Sequence, residues 1–429
     1  LFPLLLDKGV GNIDGVTPSP ANWLDSFCGQ FNNLVFLLAA QCKGAVAFGE
    51  FFNFFDYFCV KDFGENYHIE HNEKKIKQAF QNIVYSWNQP AGNRSYQSPF
   101  ININYFDSNY WNSMFKDFYF PDGTQPKWER VDYLQKLFMK WFNAERKKTL
   151  LTFPVESMAM LTDGKDVIDQ DYKNFTAEMW EEGHSFFVYL SDNADSLASC
   201  CRLRNEVTNN EFSFTTGLTG IKTGSCNVIT LNLNRIIQDW WKTTTIGEFN
   251  GHRIGDRNKS RKAFEASKNY LIAILERVYK YHIAFKTMLY DLEDKGMFAA
   301  SNGGYIYISK LYSTIGINGL NEAAQFLGLE VSNNQEYIKF LQLVLGTIKE
   351  QNKIHSINDK KRPFLFNSEV VPAEGLGGKN YKWDVKDGYW TPEGINLYNS
   401  YFYNAHDDTS VLDKFILHGK QTYQYTDGR

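Results

Sequence analysis

Two adjacent cysteines, Cys200 and Cys201, are the residues of this sequence best suited to chemistry, because a basic, polar stretch follows them directly. Arg202 and Arg204 stand where a guanidinium group could lower the pKa of a thiol or hold an anionic substrate. A strand-like run at 186–190 and a polar loop at 191–196 precede the pair and place it on a turn. A small core residue beside a surface loop is the alternative interpretation, and the pair alone does not exclude it.

The other cysteines give no sign of a disulfide framework or a zinc site. The six cysteines include no CxxC pair, which is typical of a reducing compartment. Cys42 and Cys59 have no metal-ligand spacing around them and are predicted to be core thiols. His68 and His71 could in principle share a metal, but their polar surroundings favour a solvated loop. The sequence therefore predicts no metal site.

Strand-like and helical patterns alternate along the chain, which predicts an α/β fold. A dense apolar pattern at 22–58, interrupted by small and polar residues at 41–45, predicts helices buried in a core or a subunit interface. Strands are predicted at 100–106, 150–155, 186–190 and 226–234. Further helices are predicted at 73–87, 130–147, 173–183, 261–293 and 334–353, followed by a loop-rich tail.

Polar side chains on these elements form two candidate binding sites. Ser98, Asn102 and Asn104 recur with the two-residue period of a strand and are predicted to line one face together. Residues 313–322 carry two glycines and read as a turn leading to a helix capped by Asn321, where backbone N–H groups could receive phosphate. A plain loop-to-helix cap explains the same stretch equally well.

Composition bounds the class of protein. With 429 residues, 43% hydrophobic and 22% charged, and a formal net charge of −4, the chain is predicted to be globular and cytosolic. No basic stripe favours nucleic-acid binding. The apolar opening at 1–6 is too short for a signal peptide or a membrane span.

Taken in order, the motifs resemble those of the catalytic subunit of the anaerobic (class III) ribonucleotide reductases. The resemblance spans nearly the whole chain, and several motifs in the family's order are more specific than any one of them. The motifs are at 41–49 (QCKGAVAFG), 98–104 (SPFININ), 152–154 (TFP), 199–204 (SCCRLR), 230–235 (TLNLNR), 313–322 (STIGINGLNE) and 371–374 (VPAE).

This resemblance implies one catalytic domain over 1–429, a ten-stranded α/β barrel around a central finger loop. Cys201 matches the finger-loop cysteine that becomes a thiyl radical. It would abstract the ribose 3′ hydrogen, after which the 2′ hydroxyl leaves as water. The S–H bond is close in strength to that C–H bond, and the barrel shields the radical from solvent. Cys200 would be a redox-active neighbour, or else the alignment is shifted by one residue.

The resemblance also assigns substrate contacts. Asn232 matches an active-site position that hydrogen-bonds the ribose hydroxyls. Ribose and phosphates would be held by Ser98, Asn102, Ser313, Thr314, Ile315 and Gly316. Glu374 and the doubled cysteine favour a thioredoxin-like reductant over formate.

Cofactors and partners follow from the same resemblance. The family's glycyl radical, installed by a radical-SAM activating enzyme, would lie beyond Arg429, and a second active-site cysteine would lie before Leu1. Without these, the ATP cone and the zinc cysteines, this chain alone is expected to be inactive. The helices up to about residue 90 would form a homodimer interface that binds dNTP or ATP effectors in the region from Gln41 to Phe58. No metal, nucleic acid or membrane is expected.

Two other classes of protein are alternatives to the reductase. One is another glycyl-radical enzyme, formate-lyase-like or a dehydratase, which also uses a finger-loop cysteine but lacks the motifs at 230–235 and 313–322. The other is a non-catalytic fragment that only binds nucleotide.

Overall fold

The structure, a computed structural model, describes most of the chain in two compact units. Unit one comprises Leu1–Cys200, Arg204–Lys222 and Lys295–Tyr307, and unit two comprises Cys201–Leu203, Thr223–Asp294 and Ile308–Arg429. The described residues are 19–42, 44–69, 72–92, 95–194, 196–198, 204–206, 224–244, 257–371, 374–398, 400–404 and 409–427. Cys200 and Cys201 lie outside them.

The first part of the chain alternates helices with short strands. In chain order these are α1 (Leu24–Gln41), β1 (Val46–Phe48), α2 (Phe51–Phe63), α3 (Glu73–Trp87), β2 (Ile101–Phe106), α4 (Ser108–Phe115), α5 (Trp128–Arg146), β3 (Val155–Leu161), α6 (Gln170–Glu181), β4 (Phe187–Ser191), β5 (Ser196–Ala198) and β6 (Arg204–Glu206).

The second part continues the alternation with longer helices. Its elements are β7 (Gly224–Asn232), α7 (Leu233–Thr244), α8 (Arg257–Asp294), α9 (Ala299–Asn302), β8 (Leu311–Asn318), α10 (Leu320–Phe326), α11 (Gln335–His355), β9 (Leu365–Val370), α12 (Glu374–Lys386) and α13 (Val411–Phe415). Short turns of other helix types occur at Ile308–Lys310 and Ile416–Lys420. Of these elements, α9 belongs to unit one.

Unit one contains a four-stranded parallel sheet in the order β1-β2-β3-β4. Helices cover one of its faces: Phe48 packs on Phe31 of α1, and Tyr105 packs on Phe52 of α2. Because side chains alternate along a strand, the other face carries Asn102 and the small and polar residues in register with it. We call this the polar face of unit one, after Ala47, Asn102, Asn104, Ser157 and Ala159; the register also places Val155, Phe106, Phe187 and Tyr189 on it.

Unit two contains a three-stranded parallel sheet in the order β7-β8-β9. Its helix-covered face presents Ile315, Ile317 and Phe366 to a core shared with α8, α10 and α11. The opposite face is again polar, since Thr314, Gly316 and Asn318 alternate with those apolar residues. We call this the polar face of unit two; its polar residues and glycine are Thr230, Asn232, Thr314, Gly316, Asn318, Asn367 and Glu369, and the register adds Val228 beside Thr314.

The α/β class is confirmed, and so are the main helices. The helix predicted at 73–87 has those bounds, and those predicted at 130–147, 261–293 and 334–353 differ from α5, α8 and α11 by a few residues. The small and polar residues at 41–45 coincide with a helix end, because α1 ends at Gln41. A strand, β1, was missed inside the apolar pattern at 22–58, where three residues cannot show a period. The described strands form sheets of four, two and three strands, so the ten-stranded barrel stays a prediction.

Several sequence-based boundaries were wrong. The strand expected at 150–155 begins at Val155, because Pro154, which has no N–H, cannot donate to a sheet ladder. The strand expected at 226–234 ends at Asn232, and α7 follows without a loop. The loop-rich tail contains α12, which its glycines concealed.

The turn expected at 313–316 is also wrong, because all four residues lie within β8. Gly319, with φ of 77°, takes the N-cap position of α10, so Asn321 is not the cap. None of the helices among the described residues is long and apolar enough to cross a membrane.

Candidate functional site

Asn102 is the main candidate binding residue of unit one. It lies in β2, which is buried on both faces, and its side chain is fully buried. Its Nδ2 donates to the carbonyl oxygen of Val155 at 3.0 Å and to Oγ of Ser157 at 2.8 Å. Its Oδ1 accepts no hydrogen bond from any described residue. A buried acceptor without a donor is costly, so a ligand hydroxyl would be stabilised here.

The neighbours of Asn102 complete this polar face. Asn104 is buried two residues further along β2, as the strand period predicts, whereas Ser98 lies before the strand and is half-buried. Ser157 was not singled out from the sequence, because the expected strand at 150–155 stopped short of it. A correct register for β3 would have placed it beside Asn104.

The polar face of unit two depends on Gly316. A Cβ added to Gly316 would lie 2.4 Å from Oγ1 and 3.1 Å from Cα of Thr230, so only glycine fits beneath that side chain. Thr314 is buried on the same face; its Oγ1 donates to Oδ1 of Asn367 at 2.7 Å and lies 2.8 Å from Oγ of Ser225. Thr314 and Gly316 therefore line this face together.

Ser313 and Ile315 point the other way. Oγ of Ser313 lies 3.5 Å from Sγ of Cys226, and Ile315 is part of the apolar core. Because β8 is the central strand, its backbone N–H groups pair with the flanking strands and are not available to a phosphate. Residues 313–316 therefore do not form the expected turn, and the helix start where the N–H groups for a phosphate were expected lies at Leu320.

Asn232 ends β7 and also starts α7. Its Oδ1 accepts from the backbone N–H of Arg235 at 3.3 Å, the geometry of an N-cap. Its Nδ2 donates to both carboxylate oxygens of Asp384, at 3.0 and 3.1 Å. The side chain is half-buried at the carboxyl end of a parallel strand, where ligands of α/β proteins commonly bind.

Asp384 is the centre of this polar cluster, and it was not identified from the sequence. It is fully buried, and besides Asn232 it accepts hydrogen bonds from three other side chains. These are Nδ2 of Asn234 at 3.0 Å, Nε of Arg235 at 2.8 Å and the hydroxyl of Tyr398 at 2.8 Å. In the sequence, Asp384 is one of several acidic residues in a glycine-rich segment that shows no helical pattern.

The carboxylate of Asp384 shifts the pKa values of the groups bonded to it. Burial opposes the charge of Arg235, but its hydrogen bonds to Asp384 and Asp387 and the negative charge of Asp384 together outweigh burial and raise the pKa of Arg235 above its usual value. Burial, together with the negative charge of Asp384, raises the pKa of Tyr398 well above its usual value. Arg235 is therefore charged and Tyr398 neutral at physiological pH.

Two buried basic groups on α8 lie beneath the same sheet. Burial lowers the pKa of His282 to about 4 and that of Lys286 to about 8. Nζ of Lys286 donates to the carbonyl oxygen of Leu311, at the start of β8. Burial raises the pKa of Cys226, so this thiol is protonated at neutral pH.

The expected effector region from Gln41 to Phe58 is mostly closed to a ligand. Phe58 is fully buried in the core of unit one, where its ring stacks on that of Phe27 with the centroids 4.4 Å apart. Most other side chains of α2 are buried as well. The apolar run that ends at Phe58 therefore packs in the core, so an effector in this region would have to contact its exposed positions, and the effector site there stays a prediction. Gln41 is exposed, and its Oε1 accepts from the backbone N–H of Ala300 at 3.0 Å.

The remaining candidate residues are the cysteines and Glu374, and the structure describes only some of them. Cys200 and Cys201 lie outside the described residues, and Glu374 is described only as the first backbone position of α12. Cys59 is a core thiol, as predicted, and Cys42 is half-buried. Within the described segments no cluster of His, Cys, Asp or Glu could hold a metal ion.

Comparison with known proteins identifies the relatives. The family model described as anaerobic ribonucleoside-triphosphate reductase matches residues 2–429. The chain is similar to the anaerobic ribonucleotide reductase of Thermotoga maritima with citrate in the active site, at 26% identity and a TM-score of 0.80, over 99% of this chain and 72% of that one. The chain is also similar to the complex of that enzyme with dATP and CTP, at 25% identity and a TM-score of 0.80, over 99% of this chain and 67% of that one. A third similar structure is that enzyme with dATP bound in the specificity site, at 25% identity and a TM-score of 0.79, over 99% of this chain and 68% of that one. No curated protein sequence matches the chain.

Proposed function

Because this chain belongs to the anaerobic ribonucleoside-triphosphate reductases, a family of oxidoreductases, we propose that it binds a ribonucleoside triphosphate and takes part in its reduction to the deoxyribonucleoside triphosphate. The family match over residues 2–429 supports this function over a formate-lyase-like enzyme or a dehydratase. The product would supply precursors for DNA synthesis. The family's glycyl radical would supply the unpaired electron that starts hydrogen abstraction, and the described residues would bind and orient the substrate.

In unit one, Asn102 is proposed to accept a hydrogen bond from a substrate hydroxyl, with Ser98 as a neighbouring contact. The observation that carries this assignment is the buried Oδ1 of Asn102, which no described donor satisfies. The amide is also fixed in orientation, because its Nδ2 is held by Val155 and Ser157. A rigid, desolvated acceptor discriminates strongly in favour of a ligand that carries the matching hydroxyl.

In unit two, Asn232, Thr314 and Gly316 are proposed to contact the substrate. Asn232 would hydrogen-bond the ribose hydroxyls from the end of β7, and Gly316 would let the ligand approach the backbone of β8 closely. Ser313 and Ile315 lie on the helix-covered face. Their part would be to hold β8 in place.

The radical chemistry is proposed from the order of the sequence motifs. Cys201 would take the ribose 3′ hydrogen and Cys200 would exchange electrons, inside a ten-stranded barrel with a finger loop. Glu374 and the doubled cysteine favour a thioredoxin-like reductant over formate. A radical-SAM enzyme would install the glycyl radical.

Regulation is proposed from the relatives. Because the similar Thermotoga maritima enzyme has dATP in a specificity site, we propose that this chain also responds to dNTP or ATP effectors. The effectors would act in a cytosolic homodimer whose interface includes the helices before about residue 90. The exposed end of α1 at Gln41 would be closer to such a ligand than the buried Phe58.

Calorimetric titration of the chain with CTP and with dCTP tests the substrate assignment. We expect CTP to bind more tightly than dCTP, because only CTP carries the 2′ hydroxyl. Asn102→Ala and Asn232→Ala should each weaken CTP binding about tenfold or more. Asn143→Ala is the matched control for Asn102→Ala, since Asn143 is also buried but its Nδ2 donates to Glu182 on the helical side of unit one. Equal affinity for the two nucleotides, or unchanged binding by both variants, would contradict the proposal.

A further inference from the structure

The side-chain amide of Asn232 has two possible orientations, related by half a turn. Asn232 can orient a ribose only if its surroundings favour one of them. An amide presents an acceptor on one side and a donor on the other, and the two orientations have nearly the same shape. A rotation by half a turn would exchange the carbonyl and the NH₂ group. The surroundings of Asn232 must therefore distinguish its oxygen from its nitrogen.

Two neighbours make that distinction. On one side, the backbone N–H of Arg235 can only donate, so it requires the oxygen of Asn232. On the other side, the carboxylate of Asp384, which forms a salt bridge with Arg235, can only accept, so it requires the nitrogen. A flipped amide would place its oxygen against the carboxylate, which is strongly unfavourable in a buried site.

The carboxylate is itself held rigidly. The hydroxyl of Tyr398 and Nδ2 of Asn234 both bond its Oδ2, and Nε of Arg235 bonds its Oδ1. Asp384 is thus a fixed acceptor on α12, and it faces a strand end that is 152 residues earlier in the chain.

Resting on the proposed role of Asn232 in substrate binding, we propose that Asp384 is a positioning residue for this reductase: its buried carboxylate sets the orientation in which Asn232 meets the ribose. Asp384 itself does not contact the substrate. Neutralising it to asparagine keeps the size of the side chain but removes the requirement for the nitrogen of Asn232.

A double-mutant cycle on CTP binding tests this role. Asp384→Asn should weaken CTP binding about tenfold in the wild-type background and less than about twofold in the Asn232→Ala background. This loss of additivity is the readout, because a general loss of stability would weaken binding equally in both backgrounds. Asp387→Asn is the control: Asp387 binds the same Arg235 but makes no hydrogen bond to Asn232, so affinity should be retained.

The outcomes separate the two proposals. If Asn232→Ala binds CTP normally, the assignment of Asn232 to the substrate site is wrong. If Asn232→Ala loses binding but Asp384→Asn does not, or if the two losses add, only the positioning role is overturned.

Tyr398→Phe provides a milder second variant in case Asp384→Asn does not fold. It keeps the ring and removes the hydroxyl, which donates to Asp384 and accepts from Nδ2 of Asn234. It should weaken CTP binding about threefold in the wild-type background and leave Asn232→Ala unchanged. An equal effect in both backgrounds would contradict the positioning role.

Discussion

The side-chain nitrogen of Asn232 lies 3.0 and 3.1 Å from the two carboxylate oxygens of Asp384. This contact joins the end of β7 to α12, two segments that are far apart in the sequence. Because Asp384 is fully buried, its charge is compensated only by the donors around it.

Removing the carboxylate altogether should therefore be strongly destabilising. In Asp384→Ala, Arg235 loses its more buried partner, and Asn232, Asn234 and Tyr398 each lose an acceptor. We expect the free energy of unfolding to fall by about 3–5 kcal/mol in urea titrations. Asp387→Ala, which removes a half-exposed partner of the same arginine, should cost less than about 1 kcal/mol. Similar losses for the two variants would show that the buried cluster contributes little.

Two glycines of α12 should respond to alanine with opposite signs. A Cβ at Gly377 would lie 2.1 Å from the backbone oxygen of Tyr398, whereas one at Gly375 meets nothing within 4 Å. Gly377→Ala should lower the free energy of unfolding by about 1–3 kcal/mol. Gly375→Ala should raise it by about 0.5–1 kcal/mol, because alanine favours the helix. Thermal or urea unfolding measures both, and a stabilising Gly377→Ala would contradict the close packing of α12 on Tyr398.

His282 should make the protein less stable in acid. Burial lowers its pKa from 6.5 to about 4, so between these values the unfolded state binds more protons than the folded state. Stability attributable to this group is then present above pH 6.5 and is lost as the pH falls toward 4. His282→Gln should remove about 2 kcal/mol of the stability difference between about pH 6.5 and 4.5. Urea titrations at the two pH values test this, and an equal acid loss in both proteins would contradict it.

Lys286 should act in the alkaline range. Burial lowers its pKa from 10.5 to about 8, so the unfolded state binds more protons between these values and stability rises with pH there. Lys286→Met should therefore be more stable than the wild type at pH 7, and the gain should shrink near pH 10.5. Lys268→Met, on the same helix but at a half-exposed ion pair with Glu350, is the control and should change little. A less stable Lys286→Met at pH 7 would show that the bond to Leu311 dominates.

The sequence by itself determined the family and most helices. The long apolar patterns of α3, α5, α8 and α11 repeat over several turns, so their periodicity is unambiguous. The motifs are local and ordered, which is enough for the resemblance that the family match bears out.

Only the tertiary structure decided which side chains share a face and which residues hold them. Whether residues 313–316 form a turn or a strand depends on the strands β7 and β9 beside them, and this register places Thr314 and Gly316 on the polar face but Ser313 and Ile315 in the core. The role of Asp384 could not be predicted from the sequence for the same reason. Its importance arises from donors on β7, α7 and the segment around Tyr398, and no local pattern encodes a contact between residues so distant in the chain.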